Sequence, residues 1–181
     1  MTNILSADGR PVTKKNYFTT ERLRIGPLVY KNAPFILELV NTPGWLRFIG
    51  DRNVKNRAGA RAYIKKIKNL PNVKYWTVYL KNEHTPIGII TFIKRDYLDQ
   101  SDIGFAFLPQ FTKTGYAFEA TAAVLNSLRD RQGLKPILAT TLPDNIDSIA
   151  LLCKLGFTLE KQITVDGLGL LVYKLEFDAV R

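Results

Sequence analysis

The stretch DIGFAFLPQFTKTGYAFEA, residues 102–120, decides the fold because its hydrophobic period changes partway along it. Residues 102–108 alternate as a strand does, and Pro109 ends the strand because it has no N–H to donate. Apolar residues then recur at helical spacing, at Ala120, Val124, Leu125 and Leu128. The stretch therefore predicts a strand, a short loop and a long helix that begins directly after Gly115.

The start of that predicted helix is suited to an anion. Backbone N–H groups in the first turn of a helix have no partners within it, and the helix dipole adds partial positive charge. Gly115 would let the backbone approach a ligand closely, and Lys113 adds a full charge, so a pyrophosphate would fit. Many such turns bind nothing, and the chain has neither a GxxxxGKS/T nor a GxGxxG motif. The loop alone gives only a hypothesis.

On both sides of this unit the sequence shows further strand and helix patterns. Upstream, strands are predicted over residues 22–28, 75–80 and 87–93, and helices over 33–40 and 57–68. Downstream, the prediction is a strand over 136–141, a helix over 145–155, and two final strands over 157–165 and 170–177. No repeat or linker interrupts the pattern, which predicts one mixed α/β domain after a polar, loosely ordered lead-in of residues 1–18.

Composition narrows the class of protein. Of the 181 residues, 46% are apolar, which suits one globular domain with a full core. The longest apolar runs are far too short to cross a bilayer, so no membrane partner is expected. The single cysteine, Cys153, excludes an intramolecular disulfide framework and favours a cytoplasmic protein. With one histidine besides, no metal site is expected, and Cys153 itself is predicted to be core or half-buried.

The net charge of +10 is concentrated in a basic stretch between Arg52 and Lys74. Such a charge would attract nucleic acid, a ribosome, an acidic protein or a polyanionic nucleotide cofactor. An ordinary solvated helix face is the alternative interpretation. The stretch carries no aromatic-plus-basic motif of the kind that RNA-binding modules use, so the sequence leaves these interpretations open.

Two separated strings resemble one known family. Residues 102–120 and the string LPDNIDSIALLCKLGF, residues 142–157, resemble the GNAT superfamily, the Gcn5-related N-acetyltransferases. TERLRIGPL at residues 20–28 and FIGDR at residues 48–52 are similar to the branch of the ribosomal-protein alanine acetyltransferases. The resemblance implies a single N-acetyltransferase domain over residues 19–181, with a central, mostly antiparallel, twisted sheet flanked by helices.

The resemblance also implies the chemistry, namely direct transfer of the acetyl group of acetyl-CoA to a primary amine, without a metal. In the family, a loop that starts with Arg or Gln and carries glycines cradles the coenzyme A pyrophosphate. Gln110 takes the first position of that loop and Gly115 its last glycine, whereas Lys113 stands where the family usually has a glycine. The cofactor contacts so implied are Phe105, Ala106, Phe107, Gln110, Lys113, Thr114, Gly115, Tyr116, Ala117 and Asn145. For Asn145, a helix N-cap is an equally good interpretation.

Acetyl transfer needs a group that takes a proton from the attacking amine. Asp102 stands where related enzymes place an acidic residue at the strand entrance, so the resemblance makes it the candidate base. A surface carboxylate at the end of a strand is the alternative interpretation. Glu119 matches a family glutamate and is interpreted as structural. Some members use a tyrosine as general acid at the position of Leu152, so that role is unfilled here, with Tyr75 or Tyr97 as substitutes.

Two other functions stay open from the sequence. One is an acyl-CoA-binding protein without transfer activity, and the other is a basic module associated with the ribosome or RNA. The acceptor amine is undetermined between a protein N-terminus and a small molecule. A ribosomal or acidic protein partner and a homodimer are further expectations that the residues do not decide.

Overall fold

The computed structural model describes residues 17–132 and 135–177. These residues form an eight-stranded sheet, with strands in the order β1-β2-β3-β4-β5-β6-β8-β7. The strands are β1 (Phe18–Thr19), β2 (Leu23–Pro27), β3 (Val73–Leu80), β4 (Pro86–Lys94), β5 (Ser101–Phe107), β6 (Ile137–Thr141), β7 (Thr158–Val165) and β8 (Leu168–Leu175). Neighbouring strands run antiparallel except β5 and β6, which are parallel.

The described residues also form five α-helices, which cover both faces of the sheet. They are α1 (Ala33–Leu39), α2 (Pro43–Phe48), α3 (Arg57–Asn69), α4 (Tyr116–Gln132) and α5 (Ile146–Lys154). On one face, α4 and α5 bury residues such as Val124 and Leu152 against Ile90 and Phe92 of β4. On the other face, α1, α2 and α3 pack around Ile89 and Leu108. The predicted fold class is confirmed.

Helix α2 is absent from the sequence prediction, because Pro43-Gly44 looks like a turn. Proline, however, fits the first turn of a helix, where its missing N–H costs nothing. Thr42 caps that helix, since its hydroxyl accepts a hydrogen bond from the Trp45 backbone N–H. Trp45 is 4% exposed and Trp76 is 8% exposed, so both tryptophans pack in the interior.

The prediction for Cys153 is wrong, because this side chain is exposed. It lies on α5 next to Leu152, which is 1% exposed and faces the sheet. Consecutive residues on a helix point about 100° apart, so burial of Leu152 turns its neighbour toward solvent.

The predicted lead-in falls mainly outside the described part of the chain. Residues 1–16 are not described, and Phe18, near its end, belongs to β1 and packs against the core. Within residues 17–132 and 135–177, no helix is long and apolar enough to cross a membrane.

Candidate functional site

A cleft opens where the two parallel strands part. Over their described length, β5 and β6 share a single register pair, at Asp102 and Leu138. Both strands run on past that pair, to Phe107 and Thr141 respectively, without further pairing. The strands therefore diverge toward their carboxyl ends, which is where open sheets bind ligands.

The backbone of β5 presents polar groups to that cleft. The Leu108 N–H donates to the Ile87 carbonyl across the antiparallel pair with β4, at 2.9 Å. Because backbone groups alternate between the two neighbours of a strand, the groups of Ala106 also face β4, whereas those of Phe105 and Phe107 face the other side. On that side the strand has no partner among the described residues beyond Asp102. Backbone donors and acceptors are therefore free along the part of β5 that is predicted to contact the cofactor.

In the loop between β5 and α4, Lys113 stands where the family usually has a glycine, and its backbone keeps a conformation that glycine favours. Lys113 has φ 59° and Gly115 has φ 83°, so both adopt the left-handed region that favours glycine. The Thr114 hydroxyl donates to the Phe111 carbonyl at 2.9 Å and holds the turn. Lysine at position 113 therefore keeps the backbone conformation of the loop. It also adds a charged side chain, which is exposed.

Arg22 supplies a second charge at this loop, which the sequence interpretation missed. Its guanidinium donates to the Thr114 carbonyl at 3.1 Å and lies 4.5 Å from the centre of the Tyr116 ring. A Cβ added at Gly115 would meet the same guanidinium at 3.3 Å. The string TERLRIGPL contains Arg22, but only the pairing of β2 with the sheet brings it to the start of α4.

Glu119 anchors the amino-terminal segment to α4, as its structural interpretation predicts. Its carboxylate accepts from the Thr20 hydroxyl at 2.6 Å, the Arg22 backbone N–H at 3.0 Å and the Arg22 side chain at 2.7 Å. Burial would raise the pKa of Glu119, but these hydrogen bonds and the charge of Arg22 outweigh it and lower that pKa. The salt bridge fixes Arg22 beside the loop.

A surface groove of about 680 Å³ begins at Gly115 and runs along α4. Its walls include Arg22, Phe118, Ala122 and Lys154. The groove shares only Gly115 with the predicted cofactor contacts. Its walls carry two cations, Arg22 and Lys154, and two carboxylates, Glu21 and Glu119.

Asp102 lies at the closed end of the cleft and is 1% exposed. One carboxylate oxygen accepts from the Thr140 hydroxyl at 2.7 Å and lies 3.1 Å from Nε of Arg95. The other oxygen, Oδ1, is buried without a hydrogen-bond partner. The alternative interpretation as a surface carboxylate is wrong, because the residue joins β5 to β6 in the interior.

Aromatic and basic groups surround Asp102 on the face covered by α3. Burial would lower the pKa of Arg95, but the Asp102 carboxylate outweighs it and that pKa is raised. Burial, and then the neighbouring Tyr63, raise the pKa of Tyr75, so its phenol stays protonated at neutral pH. Tyr97 is 41% exposed, and its ring lies 5.9 Å from the Arg95 guanidinium.

Asn145 caps α5, since its side chain accepts from the Ser148 backbone N–H at 3.2 Å. The N-cap interpretation is therefore confirmed, and the cofactor contact stays a prediction. Phe105 and Phe107 lie on β5 where it no longer pairs with β6, and Thr114 and Gly115 lie in the loop before α4, whereas Asp102 lies where the two strands pair. Gln110 is exposed in the short 3₁₀ helix Pro109–Phe111. Among the described residues, no three His, Cys, Asp or Glu side chains form a group that could hold a metal ion.

Known proteins resemble this chain in sequence and in fold. The family described as acetyltransferase (GNAT) domain matches residues 22–158. The Bacillus subtilis protein named uncharacterized N-acetyltransferase YnaD is 31% identical over 144 residues, which is 80% of this chain and 84% of that protein.

Two solved structures share the fold. An acetyltransferase (GNAT family) from Bacillus anthracis has a TM-score of 0.75 at 24% identity, covering 88% of this chain and 98% of its own. The ribosomal-protein-S5-alanine acetyltransferase from Vibrio fischeri has a TM-score of 0.75 at 19% identity, covering 91% and 98%. On the family match and the curated relative together, the chain belongs to the GNAT acetyltransferase family and is an N-acetyltransferase.

Proposed function

We propose that this N-acetyltransferase binds acetyl-CoA along β5 and transfers the acetyl group directly to the α-amine of a protein N-terminus, in the cytoplasm. The observation that carries the proposal is the parting of β5 and β6 beyond Asp102, with the N-terminus of α4 following β5 after a short loop. That arrangement offers a backbone edge for the pantetheine arm and an anion site for the pyrophosphate.

The proposed anion site combines four features. The first-turn N–H groups of α4 point out of the helix and Gly115 leaves the backbone open. Lys113 adds a full charge, and the Arg22 guanidinium, which Glu119 holds in place, adds N–H donors. Charge-assisted hydrogen bonds to phosphate are stronger than neutral ones, so these cations compensate for the missing glycine at position 113.

Carbonyl activation falls to the backbone of β5. Negative charge develops on a thioester oxygen when an amine attacks, and a preorganised N–H in a site that excludes water stabilises it. The Phe105 and Phe107 N–H groups face the cleft without a strand partner among the described residues. Holding the amine next to the thioester lowers the activation barrier further, since proximity converts a bimolecular reaction into an intramolecular one.

Proton removal is proposed for Asp102. It is the one buried charged side chain among the described residues, and its Oδ1 has no partner. Arg95 and Thr140 hold the other oxygen and so fix the orientation of the carboxylate. Oδ1 would take the amine proton, directly or through a water.

A protein N-terminus is favoured as acceptor for two reasons. Several chains of the same fold are named as acetyltransferases of ribosomal proteins, among them the Vibrio fischeri structure. Leu46 and Ile49, on and just after α2, are 42% and 38% exposed, which suits contact with a peptide.

The test is an acceptor screen that measures free thiol release from acetyl-CoA. N-terminal peptides and small amines are compared, for the parent, Asp102→Asn and Thr140→Val. We expect Asp102→Asn to lower kcat about 100-fold, within the usual range for loss of a general base, and to change the pH dependence of kcat. Thr140→Val is the control, because it loses a bond to Asp102 but keeps the carboxylate.

Equal losses in the two variants, with an unchanged pH profile, would show that Asp102 only joins the strands. Thiol release with small amines alone would remove the protein N-terminus as the acceptor.

A further inference from the structure

The outward side of α3 carries positively charged side chains and no negatively charged ones. The helix has the sequence RAGARAYIKKIKN, with cations at Arg57, Arg61, Lys65, Lys66 and Lys68 and no acidic residue. Its inner side, through Ala60, Ile64 and Ile67, is buried against the sheet. Among the described residues, no carboxylate lies within salt-bridge distance of any of these cations.

The helix dipole favours Lys66 and Lys68, which lie in the last turn, but helix stability does not account for the cations nearer the start. Arg57 occupies the first turn, where the helix dipole is positive and a cation is unfavourable. Arg57, Arg61 and Lys65 follow one another at a spacing of four, and like charges at that spacing repel. Neighbouring members lie about 6 Å apart along the axis, in a single stripe. A face that repels itself and has no internal counterion is suited to an anionic partner.

The fold adds an aromatic ring to this stripe. Tyr30, in the short 3₁₀ helix Tyr30–Asn32, is 39% exposed and far from α3 in sequence. Its ring lies 5.7 Å from the Arg61 guanidinium and 5.6 Å from the Lys68 ammonium. An exposed ring between two cations is thus present on the surface, although the sequence of the basic stretch shows no such motif.

We propose that the basic face, defined as Tyr30 with Arg57, Arg61, Lys65 and Lys68, binds single-stranded RNA. A row of cations contacts successive phosphates, and an aromatic face stacks on a base, which together bind single strands with little sequence preference. Unpaired loops whose bases are free to stack are typical of RNA. An acidic protein would use the cations, but it would not need the ring of Tyr30.

The test is fluorescence anisotropy with a labelled RNA of about 12 nucleotides, without acetyl-CoA, between about 50 and 200 mM salt. Four phosphate contacts on a single strand predict a log–log salt slope of about −3. Arg61→Glu with Lys65→Glu is expected to weaken binding at least tenfold and to reduce the slope by about 1.4. Lys135→Glu with Lys161→Glu makes the same charge change at exposed positions outside the basic face and is expected to keep the slope.

The ring is tested separately. Tyr30→Leu is expected to weaken binding at least fivefold with an unchanged salt slope, because stacking releases no counterions, whereas Tyr30→Phe keeps the affinity.

Three results would overturn the proposal. The first is equal loss in the two charge-reversal pairs, which would mean a nonspecific effect of net charge. The second is no effect of Tyr30→Leu together with competition by an acidic peptide, which would indicate a protein partner. The third is equal affinity for a DNA strand of the same sequence, which would remove RNA as the preferred ligand.

Discussion

Gly115 connects local backbone shape to ligand binding. Its φ of 83° and its open Cα let phosphate approach, and any side chain would meet the Arg22 guanidinium. We predict that Gly115→Trp abolishes the stabilisation by acetyl-CoA in a thermal-shift assay. In the parent, acetyl-CoA at 100 times its Kd should add about 2.7 kcal/mol.

Gly167→Trp is the matched control for that variant. Gly167 also has a left-handed φ, 79°, but it lies in the turn between β7 and β8 with nothing within 4 Å of an added Cβ. Both variants carry the same kind of backbone strain. If only Gly115→Trp loses the stabilisation by acetyl-CoA, the loss comes from the binding site and not from that strain. Full stabilisation of Gly115→Trp by acetyl-CoA would remove the pyrophosphate assignment.

Glu119 carries a prediction about acid stability. Its pKa is lowered in the folded protein, so its contribution is complete above the unfolded pKa of about 4.3 and is lost as the pH falls through the folded pKa. Glu119→Gln should therefore cost about 1–2 kcal/mol of unfolding free energy at pH 7, reduced by its partial exposure, and much less near pH 3.

Urea unfolding at the two pH values measures this difference. Glu38→Gln is the control, because Glu38 is an exposed glutamate on α1. If Glu119→Gln lowers the unfolding free energy by the same amount at acid pH, the charge of Glu119 is not what anchors Thr20 and Arg22.

At the scale of one element, variants of Asn145, at the start of α5, distinguish a role in capping the helix from a role in binding acetyl-CoA. Asn145 caps the helix, so Asn145→Ala should cost about 1 kcal/mol. Serine also caps helices, so Asn145→Ser should keep the stability. If Asn145 also touches the pantetheine arm, Asn145→Ser will lose acetyl-CoA affinity in isothermal titration while its unfolding midpoint stays at the parent value. An unchanged affinity would leave Asn145 with the cap alone.

At the scale of the whole molecule, we predict that part of β5 behaves as an unpaired edge strand although it lies in the middle of the sheet. Phe105 and Phe107 lie in the middle of an eight-stranded sheet, yet their N–H groups face the cleft. Hydrogen exchange measured by NMR should be faster for these amides than for Ala106 and Leu108, which face β4. Adding acetyl-CoA should slow the first pair. Uniform protection along β5 in the free protein would contradict an open cleft.

The sequence predicts the elements well because their causes are local. The change of period at Gly115 sets the start of α4, and Pro109 ends β5. The prediction fails for α2 and for Cys153, where Thr42 capping and the rotation between neighbouring helix positions decide the outcome.

The sequence by itself determined most of the strands and helices, the start of α4, and the family to which the motifs belong, since periodicity and motif spacing are properties of neighbouring residues. Only the tertiary structure decided that β5 and β6 part, that Arg22 lies at the loop before α4, and that Tyr30 lies beside two cations of α3. These contacts join residues far apart in the chain, as in the pair of Arg22 with Glu119 at a separation of 97 positions. Strand pairing and core packing set such distances, and no local pattern encodes them.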